Sequence, residues 1–448
     1  MNVKIINVWE SQYDGMTQSK SFAPLTVPYL AALFPSDVNV TIHHEQIRPI
    51  DYDIDVDLIA ITFLIANANH AYEIADRFRN RGVKVIMGGF HASLLPDEVL
   101  KHADSVVIGE AENLFPIIIN DLKRGALKSV YKSENIHNLE NLPFPRYDLL
   151  ENDFVLTHSI QATRGCPYKC EFCSIISFNS GFRVRPIDEV IRDITCYEGR
   201  NYLQNKIVMF WDNNLTGNKQ YAKELFRKMI PLKKRWFSQL SIDMVRDKEL
   251  MRLAAESGCA SVFIGIESFS QESLKSIKKN QNKIADYKKA IRTFHDFGIY
   301  VMAGLIIGFD EDTVDSISKI PDIVQEVGID MPFVSILTPN YGTGLYERYS
   351  RENRIFTKDW SRYNAFNAVF HPKNISVEEL HSAYLDIWKE LHSVPKTITR
   401  VFKGIHKLWF WPFLWSLVEN GYYSSQNVMG NYPFIGVNGK KDTEVNKY

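Results

Sequence analysis

No cysteine precedes Cys166, and the whole chain of 448 residues has only five. So few thiols exclude a disulfide-stapled scaffold and, in a reducing compartment, point to metal or catalysis. Neither sign of charge is in excess, 52 Lys and Arg facing 53 Asp and Glu. Without a basic footprint or an acid-seeking surface, no nucleic-acid partner is expected. The opening MNVKIINVWE lacks the basic segment, apolar core and cleavage site of a secretory signal, so the expected compartment is the cytoplasm. No internal repeat or low-complexity tract occurs. What is present is 45% hydrophobic content, enough for real cores. The length allows roughly two to four domains.

To about residue 125, short β-branched runs alternate with helical patterns: VKIINVW, PLTVPYLAALF, VNVTIHH, LIAITFL, HAYEIADRFRNRG, VKVIMGG, then SVVIG and AENLFPIIINDLKRG. That is the rhythm of a parallel, doubly wound, Rossmann-like sheet. Runs 58–64 and 83–87 are apolar but for Thr62 and Lys84, as strands buried on both faces require. Ligands of such sheets sit at the carboxyl ends of the strands. There the sequence places GGFH, Gly88 to His91, and GEAE, Gly109 to Glu112, although these glycines also suit plain βα turns. Residues 126–155 lack periodicity and read as a linker. A second βα series follows over 156–340, with strands expected at HSIQAT, KIVMFWD, QLSIDMV, SVFIGIES, YVMAGLIIGF and FVSILTP. Six such units predict an α/β chain in which the doubly wound domain is followed by a partial (β/α)6 TIM-type barrel. Residues 341–448 then read as a helical, aromatic region ending in the polar tail NGKKDTEVNKY.

Three cysteines crowd the stretch ATRGCPYKCEFCSI: Cys166, Cys170 and Cys173, just after the first barrel strand. Barrel enzymes keep their active sites on such loops. A structural zinc site needs a fourth ligand close by, and neither Cys196 nor Cys259 adjoins the array. A simple electron-transfer cluster takes four cysteines, so three leave one iron open. In QLSIDMV, Gln239, Ser241 and Asp243 alternate with Leu240, Ile242 and Met244, which predicts a polar face toward the lumen.

The array, with Phe172 before the third cysteine, closely resembles the signature of the radical S-adenosylmethionine (SAM) superfamily. The resemblance implies a 4Fe-4S cluster on Cys166, Cys170 and Cys173, whose open iron binds SAM and whose electron cleaves it to a 5′-deoxyadenosyl radical. It also implies an electron donor such as flavodoxin or ferredoxin. In GIES it assigns Glu267 to the ribose hydroxyls of SAM. In GLIIGFDE it matches Gly304, Ile306, Gly308 and Glu311 to the family's adenine-side pattern. FWDNN stands where the family has its methionine-binding G-G-E but reads Trp211, Asp212, Asn213, so Asp212 is the candidate there. Ser241 and Asp243 complete the expected SAM set.

The domain order resembles the cobalamin-binding class of this superfamily, from about residue 1 to 390. Many members transfer a methyl group to an unactivated carbon, and the resemblance makes Gly88, Gly89, His91, Gly109 and Glu110 the candidate cobalamin residues. No D-x-H-x-x-G occurs, so the histidine that binds cobalt from below in other cobalamin modules is absent, as is common in this class. His70 and His91 also suit a turn or a helix cap. Methylthiotransferases of the superfamily carry a second cysteine cluster in their first domain, which the cysteine census excludes here. The stretch VFKGIHKLWFWPFLWSLV, 401–418, is too short to span a bilayer, which takes about 20 apolar residues, and Pro412 is expected to interrupt it. With Lys403, His406 and Lys407 it suits an interfacial helix on anionic membrane, or equally a helix closing the barrel or a dimer contact. This region resembles polycyclic-lipid methylases, which implies a small-molecule or lipid substrate. The leading expectation is a cobalamin-dependent radical SAM methylase. The alternatives are radical cyclisation, rearrangement or coupling without cobalamin, and a non-catalytic iron-sulfur protein.

Overall fold

A computed structural model describes residues 1–9, 21–133, 137–150, 154–178, 181–405, 408 and 410–431. Its first sheet holds β1 (Asn2–Asn7), β2 (Asn39–His44), β3 (Leu58–Thr62), β4 (Lys84–Gly88), β5 (Ser105–Ile108) and β6 (Val130–Lys132). All pair in parallel in the order β2-β1-β3-β4-β5-β6, so the order reverses at β1 and leaves a crevice at the strand ends. Alternation sends Leu58 and Ala60 to one face and Ile59 and Ile61 to the other. The first face is covered by Val27, Ala31, Phe115 and Ile118, the second by Ala71, Ile74, Ala75 and Phe78 of helix Ala68–Asn80. Burial on both faces is why these strands read as nearly unbroken apolar runs. The stretch read as a linker contributes β6, an edge strand of three residues in which only Tyr131 points inward. Three residues are too few to show a period.

The second sheet begins with β7 (Ser159–Ile160). A small antiparallel ribbon follows, β8 (Thr163–Arg164) with β9 (Arg183–Val184). Then come β10 (Ile207–Phe210), β11 (Arg235–Leu240), β12 (Cys259–Glu267), β13 (Tyr300–Ile307) and β14 (Met331–Ile336). β7 and β10 to β14 pair in parallel in strictly sequential order, the connectivity of a partial barrel. β11 differs from its expected place. Trp236 and Phe237 carry its buried half, it ends at Leu240, and Ile242–Arg246 winds into a 3-10 turn. The burial alternation of Gln239 to Met244 nevertheless persists through that turn. Some of the helices between strands start on side-chain caps, as Asp247 shows by accepting the Leu250 N–H at 3.0 Å before helix Lys248–Glu256.

The C-terminal region touches both units. Tyr346, Trp360 and Tyr363 pack into the first domain's core, while Leu380, Tyr384 and Trp388 of helix Val377–Leu391 join the barrel core. Helices Val394–Ile405 and Phe410–Val428 end the described chain, with Trp415 against Phe22 and Phe237, ring centroids 5.8 and 5.2 Å away. One face of the last helix therefore closes the barrel. Pro412 does not interrupt it. It lies in the first turn, where its missing N–H would have had no intrahelical partner. His406, Lys407 and the tail 438–448 lie outside the described residues.

Candidate active site

The cysteine loop is fastened before it reaches its thiols. Asp212, fully buried after β10, accepts from the backbone N–H groups of Ala162 (3.2 Å) and Thr163 and from Thr163 Oγ1 at 2.6 Å. Burial pushes its carboxyl up to about 6, against the hydrogen bonds of Thr163 and Ala162 that favour the charge. Asn213 Oδ1 accepts from the Gly165 N–H at 3.3 Å. Gly165 has φ +86°, and a Cβ there would stand 2.1 Å from the Gly181 carbonyl, so only glycine lets the ribbon close. The Asp212 carboxylate thus faces the loop and not the lumen. Trp211, 38% exposed, is what this stretch leaves open.

Burial pushes the Cys173 thiol up to about 11 and raises that of Cys170, and the neighbouring cysteines add to both. Nitrogen donors surround the sulfurs: Asn214 Nδ2 lies 3.8 Å from Cys166 Sγ and Gln281 Nε2 lies 3.9 Å from Cys170 Sγ. Lys279 adds a positive charge. Burial opposes that charge, but Glu267 and the thiols of Cys170 and Cys173 outweigh it and raise the ammonium pKa. Cys196 is exposed and Cys259 is buried at the opposite end of β12 from Glu267. Among the described residues no three His, Cys, Asp or Glu side chains have the spacing to hold a single metal ion. Three mutually interacting thiols with no fourth ligand fit a cluster, whose irons lie at separate corners, with one corner left open.

Glu267 lies beside them. β12 slips register against β13 between Gly265 and Glu267, and Glu267 sits at φ +64°, a conformation that costs a non-glycine residue of order 1–3 kcal/mol. The bulge brings its carboxylate over Gly265 and into an ion pair with Lys279. Gly304 lies opposite, where a Cβ would stand 3.0 Å from the Phe263 ring. Below, Phe263 and Phe333 meet at 5.9 Å and give the lumen an aromatic floor. On the other wall, burial would lift Asp243, yet hydrogen bonds from Ser241, Lys219 and Tyr168 hold its carboxyl below the usual range. Tyr168, between the first two cysteines, is itself pushed up to about 12, by burial and then by Asp243.

Phe172 and Ile306 pack together against Ile277, Phe309 and Leu345. Gly308, φ +97°, is a turn residue whose missing Cβ makes room for Leu380. Its N–H donates to Asp312 at 2.8 Å. Glu311 accepts from Ser273 Oγ at 3.0 Å. The geometry therefore brings together the cysteines, Phe172, Glu267, Gly304 and Ile306 on one side and Ser241 and Asp243 on the other. Asp212 and Gly308 serve the backbone.

In the first domain, His91 points inward. Its Nε2 lies 2.8 Å from Tyr72 Oη and 3.3 Å from Glu98, and burial lowers its pKa. Glu110 is taken up by Arg183 (2.6 Å) and Arg164 (3.1 Å). Burial would raise its carboxyl, but those two guanidinium groups hold it at about 2. Neither residue is free toward a ligand at the strand ends. Gly89 (φ +106°) and Gly109 (φ +82°) make the turns, with Gly88 packed on Val107. At Gly109 a Cβ would meet nothing within 4 Å, and Leu64 beyond β3 is 62% exposed, so this edge presents open backbone and an apolar side chain.

The radical SAM superfamily profile matches residues 160–322, and the B12 binding domain profile matches residues 21–119. Bacteriochlorophyllide d C-12(1)-methyltransferase of Chlorobaculum tepidum is 30% identical over 416 residues, covering 90% of this chain and 91% of that protein. Hopanoid C-2 methylase of Rhodopseudomonas palustris is 26% identical over 375 residues, covering 80% and 70%. Two solved structures share the fold. The methyltransferase TsrM from Kitasatospora setae, with cobalamin and a 4Fe-4S cluster bound, is 14% identical with a TM-score of 0.65 over 96% of this chain and 99% of that one. OxsB, with aqua-cobalamin and SAM bound, is 14% identical with a TM-score of 0.69 over 97% and 73%.

Proposed function

Because the chain belongs to the cobalamin-dependent radical SAM methyltransferases, we propose that it methylates an unactivated carbon of an apolar ring system met at a lipid surface. The observation that carries the substrate reading is an apolar stripe on the last two helices. Val394, Ile398 and Phe402 recur along Val394–Ile405, and Phe410, Leu414, Leu417 and Val418 along Phe410–Val428, all exposed, Phe402 and Phe410 by 63% and 69%. Recurrence at three and four residues puts each set on one helix face, the pattern of a helix lying in a membrane interface. Among the described residues no helix is long and apolar enough to cross a membrane. Two relatives act on bacteriochlorophyllide d and on hopanoids, by their names.

Bound to this chain, the cluster and cobalamin supply the electron that cleaves SAM and the methyl group that is transferred. Cys166, Cys170 and Cys173 would hold the cluster, with Lys279 offsetting its negative charge. Glu267, paired with Lys279, would receive the ribose hydroxyls, and Asp243 with Ser241 would line the opposite wall. The crevice at the ends of β1, β3, β4 and β5 would seat cobalamin against the open backbone at Gly109. The test is to incubate reduced holoenzyme with methyl-deuterated SAM and a total lipid extract. Deuterated methyl should appear in an organic-soluble product. Label confined to water-soluble products would overturn the lipid reading.

A further inference from the structure

The two glycine turns of the first domain grip the two ends of the cysteine loop. Before the first cysteine, β8 places Arg164 directly opposite Arg183 of β9, which follows the third. Like charges facing each other across two strands repel, and a ribbon of two residues per strand has little else to hold it. The compensation comes from the turn after β5. Glu110 takes Arg183 with both oxygens, at 2.6 and 2.9 Å, and Arg164 at 3.1 Å. Glu112 takes Arg164 at 2.7 Å and accepts from Tyr29 Oη at 3.0 Å. These four charged side chains are between 6% and 15% exposed, so water screens them little. After the third cysteine, Phe178 ends the helix Ser174–Phe178 and stacks on Phe90 at 4.3 Å. Phe90 directly follows Gly89 in the turn after β4. Ser177 Oγ adds a 2.6 Å bond to the Gly342 carbonyl, itself packed on Leu94.

We infer that Glu110 and Glu112 are positioning residues of an interdomain clamp, through which occupancy of the first domain's crevice orders the cysteine loop. The inference rests on the reading of that crevice as the cobalamin seat. Gly109, whose backbone faces open space there, is joined directly to Glu110, so a ligand seated against it bears on the carboxylates that hold Arg164 and Arg183. Arg164 is two residues from Cys166. GGFH and GEAE then act through Phe90 and through the two glutamates, and not through His91.

Backbone hydrogen exchange over 159–178 tests this on the full, cluster-loaded chain, with and without hydroxocobalamin, whose absorbance reports binding in the same samples. In the wild type, hydroxocobalamin should slow exchange there by roughly tenfold. In the isosteric double variant Glu110→Gln/Glu112→Gln the slowing should vanish while the corrinoid still binds. If that variant fails to fold, Arg164→Lys, which keeps the charge but loses the planar fork, should show a weakened slowing. Corrinoid bound with unchanged exchange in the wild type, or full slowing in the folded variants, would overturn the clamp. Absence of bound corrinoid would instead overturn the cobalamin seat, and the clamp's role with it.

Discussion

Alanine in place of Gly265 would put a methyl group 2.1 Å from Glu267 Oε1 and 2.6 Å from Lys279 Nζ. Ordinary contact begins near 3.4 Å, so the carboxylate would have to retreat by about 1.3 Å. It has little room, since Glu267 is 7% exposed and its backbone is already held at φ +64°. If that carboxylate receives the ribose hydroxyls of SAM, the retreat breaks at least one charge-assisted hydrogen bond, worth about 1.5–3 kcal/mol. SAM affinity should then fall by roughly 10- to 150-fold. The cysteines lie on another loop, so iron content should hold. Anaerobic equilibrium dialysis of SAM against cluster-loaded Gly265→Ala and wild type measures this. Affinity within about twofold of wild type, at full iron content, would refute the placing of Glu267 in the SAM pocket.

Gly165→Ala meets the backbone carbonyl of Gly181, which cannot swing aside, so the purified variant should carry little iron. A full cluster by iron assay and absorbance would show that the ribbon does not gate cluster assembly. Asp212, pushed up by burial from its usual 3.8 to about 6, holds its proton more tightly folded than unfolded. Stability should therefore fall as pH rises from about 4 to about 6, by about 3 kcal/mol in total from this group. Asp212→Asn removes that slope, and parallel pH profiles of Tm for variant and wild type would contradict it. Phe402→Ser/Phe410→Ser should weaken binding to anionic vesicles about 100-fold, taking about 1.5 kcal/mol for each ring withdrawn from the interface. Unchanged vesicle binding would remove the membrane reading, and a loss of self-association instead would assign the stripe to a second copy.

The second sheet was legible because its strands are flanked by helices with clear periods, and the cysteine array because its spacing suits only a few metal chemistries. β6 was lost because one inward residue, Tyr131, makes no pattern. β11 was misplaced by two or more residues because the polar alternation of Gln239 to Asp243 runs on through a 3-10 turn. Lys279 gave no signal, sitting in the basic run KSIKKNQNK, which reads as a solvated loop until Glu267 is seen beside it. The turn of the Asp212 carboxylate back to Thr163 was not legible because Thr163 lies 49 residues away in the chain. The arginine partners of Glu110 and Glu112 lie 52 to 73 residues away, beyond the reach of any local pattern. Pro412 misled because position within a helix, and not the residue alone, decides whether proline breaks it.

The most direct measurement is corrinoid bound per chain after anaerobic purification from cells supplied with hydroxocobalamin, read by corrinoid absorbance beside iron content. A cobalamin-dependent methyltransferase of this architecture should carry near-stoichiometric corrinoid. Folded, cluster-loaded protein that binds none would contradict it.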